Sequence, residues 1–314
     1  MKKSIVLSAL MMVTFGAFAD ISARVANDKL IENEEVIHED HPDGLPIFAF
    51  AAYGLQSGYQ VFGSLLLRDP CLQGYGEINC FLPADLGFFG FGLISNTTLG
   101  QHEDKIMRRA FNEWDPNVHW DKVFYFDEDH VYGINYRTTF SWYIYPSHRA
   151  KETQSSQPYL GIKPIPTSLE WVHYVGFQNP YVIPFVEWRH EYLVYDADLW
   201  KFGLKKEIPV GETVKITPYV ETVLRSKEYT WCFPTDYNNK QPVHGSWGSL
   251  TLGLNCHWQL TEHFGLFANV AYCRLMSESL RDKADEVRDQ LGKWSGMATT
   301  KDAAWGGIGF TVNF

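Results

Sequence analysis

Strict alternation of apolar and polar side chains over long stretches is the feature that most constrains this chain. From 250 to 258 the sequence reads L-T-L-G-L-N-C-H-W, so the apolar side chains share one face of an extended segment. The same two-residue period runs through 132–144 and 214–225. Membrane β-barrel strands have about 9–11 residues, whereas strands of about 5–6 residues are common in soluble sheets. The lengths of these segments therefore favour a membrane barrel.

About twelve such segments are predicted, and an even number suits an up-and-down antiparallel barrel with both termini on the periplasmic side. A further apolar segment at 47–55 could change the count. The predicted strands lie near 58–68, 72–81, 87–96, 111–121, 131–144, 169–178, 181–191, 197–205, 213–225, 247–258, 264–275 and 304–314.

The lengths of the connections between these segments alternate. Tight periplasmic turns and long external loops should follow each other in a membrane barrel, whereas a soluble β-sandwich has no reason to sort them. If the connections are numbered along the chain, the even-numbered ones are short, and long ones occur only at odd-numbered positions. The short ones are 83–87, 127–130, 179–180, 208–212 and 260–264, and the long ones are 97–110, 145–168, 226–246 and 276–303.

The first residues have the layout of a secretory signal peptide. Two lysines precede the apolar run 5–18, and Ala17-Phe18-Ala19 suits a signal peptidase. We predict a signal peptide at 1–19, an acidic periplasmic tail or plug at 20–56 and the barrel at 57–314. An uncleaved anchor is the alternative, but the run is short for about 30 Å of hydrocarbon.

Composition agrees with an exported membrane barrel and narrows the partners. The chain has 11 Trp, 17 Tyr and 21 Phe, and such residues form the aromatic girdles of a barrel. Its formal charge of −10 argues against nucleic acid, because binding to phosphates needs clustered cations. Its five cysteines are odd in number and suggest neither a disulfide scaffold nor a zinc site.

The C-terminal segment W-G-G-I-G-F-T-V-N-F places Ile308, Phe310, Val312 and Phe314 on one apolar face. An amphipathic final strand that ends in Phe resembles the signal by which Gram-negative outer-membrane proteins are recognised by the barrel-assembly machinery. The resemblance implies a porin-like outer-membrane β-barrel surrounded by outer-membrane lipid and lipopolysaccharide. It covers 57–314 as architecture and leaves the oligomeric state open.

Alternation also predicts which charged side chains face the lumen, since Lys or Arg facing lipid at mid-membrane costs about 2–4 kcal/mol. We expect a porin-like channel for passive diffusion of small hydrophilic solutes, in which these charges tune selectivity. A salt-bridged interior that only fills a narrow barrel is the alternative. The pore-lining candidates are Glu113, Asp115, Arg137, Glu187, Arg189, Glu191, Lys201, Lys215, Glu221 and Arg225, with Glu77 and Lys205 as further inward charges.

Two connections carry more specific patterns. In 276–303, apolar residues recur every three or four positions, which predicts a helix in an external loop with Ser279 as its N-cap. This helix would shield the strand edges or cover the mouth of the barrel. Near the start of the fourth predicted strand, Arg108 and Arg109 beside Glu113 and Asp115 predict local ion pairs or a charged ring.

Two other classes of function compete with the channel. An outer-membrane enzyme needs a nucleophile and a base at the barrel rim, and the candidates lack a recognisable motif. An adhesin would bind a partner through loops 145–168 and 226–246. No nucleotide, zinc-protease or calcium motif occurs, so we predict no enzyme activity and no cofactor. The enzyme candidates are Ser141, Ser147, His148, His244, Ser246, Ser249 and His257, and the aromatic loop residues are Tyr159, Trp231, Phe233 and Tyr237.

Overall fold

A computed structural model describes residues 47–61, 64–67, 70–83, 86–99, 112–144, 168–193, 196–226, 246–282 and 301–314. The predicted signal peptide lies outside these residues, as does most of the acidic tail. The strands are β1 Ile47–Gln56, β2 Tyr59–Val61, β3 Ser64–Leu67, β4 Cys71–Phe81, β5 Phe88–Thr98, β6 Asn112–Tyr125, β7 Gly133–Tyr143, β8 Ser168–Gln178, β9 Ile183–Glu191, β10 Ala197–Lys205, β11 Ile208–Val210, β12 Val214–Arg225, β13 Ser246–Gln259, β14 Phe264–Leu275 and β15 Asp302–Asn313.

Twelve long antiparallel strands close into a single barrel. The order is β10-β9-β8-β7-β6-β5-β4-β1-β15-β14-β13-β12, and β12 pairs back with β10. First and last strands lie side by side, with Phe50 opposite Asn313. Because a closed barrel leaves no unpaired strand edge, each backbone ladder can be satisfied inside a bilayer. The predicted fold class is confirmed.

The first barrel strand is β1, and the predicted first strand at 58–68 is wrong. β1 pairs with β15 on one side and with β4 on the other. Residues 59–61 and 64–67 form instead the short antiparallel pair of β2 and β3, outside the barrel sheet. The predicted barrel start at residue 57 is therefore too late, because β1 begins at Ile47. Residues 47–56, predicted as part of the tail, belong to the barrel.

Alternate connections along the chain lie at opposite ends of the barrel. Four of the tight ones are 82–87, 126–132, 179–182 and 260–263, and 206–213 contains the small strand β11. This turn end also holds the start of β1, where Phe314 N donates to Ala49 O over 2.9 Å. At the other end, which we call the loop end, lie the strand ends that flank 57–70, 99–111, 144–167, 192–196, 226–245 and 276–301.

A helical turn at 278–282 begins the predicted loop helix, and its start differs from the prediction. Arg281 N donates to Ser277 O over 3.0 Å, so Ser279 lies inside the turn and is not its N-cap. Leu280 is buried against Leu275 at the end of β14, which anchors this turn to the barrel. Residues 283–300, with the rest of the predicted apolar stripe, lie outside the described residues.

Candidate functional site

The outer face of the barrel is apolar along its strands. In β13, Leu252 and Leu254 are exposed, whereas Thr251, which precedes Leu252, is buried. Phe91, Val270 and Ile308 are exposed on other strands, as expected for side chains that meet lipid. Within the described residues, no helix is long and apolar enough to cross a membrane.

Charged side chains face the lumen and form ion-pair networks. In the first, which we call the β4–β7 network, Arg137 Nη2 donates to Tyr75 Oη over 2.8 Å and lies 3.3 Å from Glu77 Oε2. Arg137 Nε lies 3.3 Å from Asp121 Oδ2. Tyr75 donates in turn to Glu77, and His119 Nε2 lies 3.4 Å from the same carboxylate. One guanidinium therefore neutralises carboxylates from two strands that are not neighbours.

Glycines on the inner face of β5 make room for this network. A Cβ at Gly90 would overlap Asn79 Oδ1 and His119 Nε2, and one at Gly92 would lie 2.6 Å from Asn117 Oδ1. His119 bridges the two amides, with Nε2 at 2.8 Å from Asn79 Oδ1 and Nδ1 at 3.2 Å from Asn117 Oδ1. The polar side chains thus lie flat against the wall of the barrel.

A second network joins β7 to β10. Arg189 binds two carboxylates, with Nη1 at 3.0 Å from Glu170 Oε2 and Nε at 2.6 Å from Glu187 Oε1. Lys201 Nζ lies 3.3 Å from the same Glu187 oxygen, and Tyr143 Oη donates to Glu170 over 2.5 Å. We call this the β7–β10 network. It leaves basic and acidic groups paired along a second part of the wall.

Four carboxylates gather in the loop half of β6, β8 and β9. They belong to Glu113, Asp115, Glu170 and Glu191, and all four are buried. Asp115 interacts electrostatically with Glu113, Glu170 and Arg189, and its Oδ1 has no hydrogen-bond partner among the described residues. Glu191 accepts from Ser168 Oγ over 2.6 Å. The loop half of this wall is therefore rich in carboxyl groups.

All ten predicted pore-lining residues lie on the inner face, although their role in a pore stays a prediction. Lys215 lies near the turn end, where its Nζ is 3.1 Å from Glu207 Oε2. Glu221 and Arg225 are buried on β12. Asp121 and Glu170 were not predicted, although the alternation along β6 and β8 places both on the inner face.

The enzyme candidates do not form a site within the described part of the chain. Ser141 is buried on β7, and His257 binds Thr311 Oγ1 at 3.0 Å. Ser249 lies eight residues from His257 on the same strand, about 26 Å along it. The side chains of Ser147, His148, His244 and Ser246 lie outside the described residues, as do Arg108, Arg109 and the four aromatic loop residues. Nor do the described residues contain a group of His, Cys, Asp and Glu that could hold a metal ion.

Polar pairs on the outer face were also missed. At the loop end, His190 Nδ1 lies 3.0 Å from Asp198 Oδ1, and Trp188 Nε1 donates to the same oxygen over 2.8 Å. Nearer mid-wall, Tyr136 Oη and His173 Nδ1 are 2.7 Å apart. Alternation alone gives no reason to expect polar groups on a lipid-facing surface. Because each pairs with a neighbour on the next strand, the hydrogen bonds offset the cost of their position.

The closed antiparallel barrel, its apolar outside and its charged inside decide the fold class. The chain has the fold of an outer-membrane β-barrel protein. No protein-family model matches it, and neither does a curated protein.

Three solved structures illustrate its likeness to other barrels. The translocator domain of the autotransporter NalP from Neisseria meningitidis is 10% identical, with 95% of this chain and 99% of that chain covered and a TM-score of 0.38. An outer-membrane channel from Pseudomonas putida is 6% identical, with 88% and 99% covered and a TM-score of 0.45. LpxR from Salmonella typhimurium is 8% identical, with 84% and 99% covered and a TM-score of 0.45. The fold assignment rests on the strand pairing of this chain.

Proposed function

We propose that the protein is a porin-like channel through which small hydrophilic solutes diffuse, with a preference for cations. The observation that carries this proposal is the row of charged side chains on the inner face from β4 to β12. Buried ion pairs contribute little to stability, and well-packed apolar residues would often stabilise a closed barrel interior equally well or better. In a lumen that conducts hydrophilic solutes, charged side chains on the wall interact with the solute and set selectivity.

The preference for cations follows from where the charges lie. Glu113, Asp115, Glu170 and Glu191 cluster in the loop half, where a solute would enter from the loop end. Arg189 is bonded to Glu170 and to Glu187, so the positive charge that it supplies is shared between two carboxylates. Rings or clusters of carboxylates favour cations in membrane pores. We therefore assign selectivity to this acidic cluster.

Replacing two of these carboxylates should reduce cation preference. The Glu113→Gln, Asp115→Asn double variant is expected to lower the cation-to-anion permeability ratio by roughly twofold or more, because it removes two acidic groups from the lumen wall. The measurement is the reversal potential of refolded barrels in a planar bilayer under a KCl gradient. Glu262→Gln is the matched control, since this carboxylate is 84% exposed in a tight turn.

Folded barrels that give no stepwise currents would contradict the channel. Folding is checked by the heat-dependent shift in electrophoretic mobility. Release of fatty acid from phospholipid vesicles, abolished by His190→Ala, would instead support an enzyme at the outer rim. An unchanged reversal potential in the double variant would contradict the assignment of selectivity while leaving conduction intact.

A further inference from the structure

Neighbouring connections at the turn end enclose a cavity of about 340 Å³. Its walls come from 126–132, from 179–182 and from the residues that follow β10. Two of these turns are fixed by their own side chains. Asp127 accepts from the backbone N of Val131 and Tyr132 over 3.1 and 2.8 Å, and Asn179 Oδ1 accepts from Val182 N over 3.0 Å. The cavity is thus preformed, and we call it the turn-end pocket.

The turn-end pocket offers positive charge and an unused donor. Glu207 is engaged by two lysines, Lys205 Nζ at 3.6 Å and Lys215 Nζ at 3.1 Å. Lys206 lines the pocket and has no ion-pair partner among the described residues. Gln178 also lines it, and its Nε2 is buried with no hydrogen-bond acceptor in the described part of the chain. A buried donor without an acceptor is unfavourable, and a ligand with an acceptor oxygen would supply the missing hydrogen bond.

Flat rings form another part of the wall. The rings of Tyr125 and His130 stack at 4.3 Å with an interplanar angle of 15°. Tyr181, which also lines the pocket, keeps 69% of its surface exposed. Aromatic rings pack against a further aromatic ring in an offset or edge-to-face arrangement. The volume lies at the lower end of the roughly 300–1,000 Å³ typical of small-molecule sites, so the ligand is small.

We propose that the turn-end pocket binds a small organic carboxylate that carries a flat ring. Its carboxylate lies between the ammonium of Lys206 and the amide of Gln178, and its ring lies against the Tyr125–His130 pair. The site is separate from the acidic cluster in the loop half, and binding there requires no flow through the lumen. Failure of this proposal and failure of the channel are therefore measured independently.

Titration calorimetry of the refolded full chain in detergent tests the proposal with benzoate as the probe. Benzylamine has the same ring with the opposite charge, and cyclohexanecarboxylate has the same charge without a flat ring. Benzoate is expected to saturate one site per chain and to bind more tightly than either. Lys206→Gln should weaken benzoate about fivefold, as expected for an exposed charge worth about 1 kcal/mol. Gln178→Leu should weaken it as well.

Lys122→Gln is the matched control because it removes a lysine from the outer face of β6, where its Nζ lies 5.4 Å from the Phe124 ring. This variant should bind benzoate like the unaltered protein. No saturable heat at millimolar benzoate would overturn the proposal. So would equal binding of benzoate and benzylamine, or equal weakening by Lys206→Gln and Lys122→Gln in barrels that keep their mobility shift.

Discussion

Arg137→Met is expected to lower the free energy of unfolding by about 3–5 kcal/mol, the cost of removing one partner from a buried ion pair. Methionine preserves most of the volume but leaves Glu77 and Asp121 without the guanidinium that lies 3.3 Å from each. Both carboxylates are buried, so water cannot easily replace it. Urea unfolding of the refolded barrel in phosphatidylcholine vesicles, followed by tryptophan fluorescence, measures the change.

The compensating variant separates charge from packing. Arg137→Met combined with Glu77→Gln and Asp121→Asn removes the uncompensated charges, and it should recover at least half of the lost stability. Arg274→Met is the control: this outward arginine is 49% exposed and 3.8 Å from Asp302, so its loss should cost at most about 1 kcal/mol. An unchanged stability in Arg137→Met would show that water solvates both carboxylates in the lumen.

Arg137 shows what the alternation of the sequence can predict and what it cannot. The two-residue period correctly places Arg137 on the inner face, because neighbouring side chains on a strand point to opposite sides. The two-residue period does not reveal which carboxylate pairs with Arg137. Glu77 is 60 residues away on β4, which β5 and β6 separate from β7. Their contact depends on side chains that cross the glycines of β5, which no local pattern encodes.

The first barrel strand was predicted only as a further segment at 47–55, outside the twelve, for a related reason. In β1 the inward residues include Phe48 and Phe50, and the outward ones include Ile47 and Tyr53, so both faces are apolar and the two-residue period disappears. The inner apolar face is explained by aromatic packing across the lumen wall. Phe48 lies 5.0 Å from Phe81, ring to ring, and Phe50 lies 6.3 Å from Tyr75. Only pairing with both β4 and β15 identifies this segment as a barrel strand.

Gly90→Ala is expected to destabilise the barrel by about 1–3 kcal/mol, although alanine is ordinarily the better strand residue. The added methyl group would occupy the space of Asn79 Oδ1 and His119 Nε2. Either side chain can move aside only by breaking their 2.8 Å hydrogen bond, and both are buried. The same urea titration measures the loss.

Gly76→Ala is the matched control for that methyl group. Gly76 is on the outer face of the adjacent strand β4, and a Cβ there would meet only Phe50 O at 3.9 Å, an ordinary contact. This variant should therefore be neutral or slightly stabilising, since a strand glycine loses more backbone freedom on folding than alanine. Equal effects at the two positions would mean that His119 and Asn79 do not rest on β5. A loss confined to Gly90→Ala would tie the stability of the barrel to the glycine surface under the β4–β7 network, and so to the side chains that Arg137 holds in the lumen.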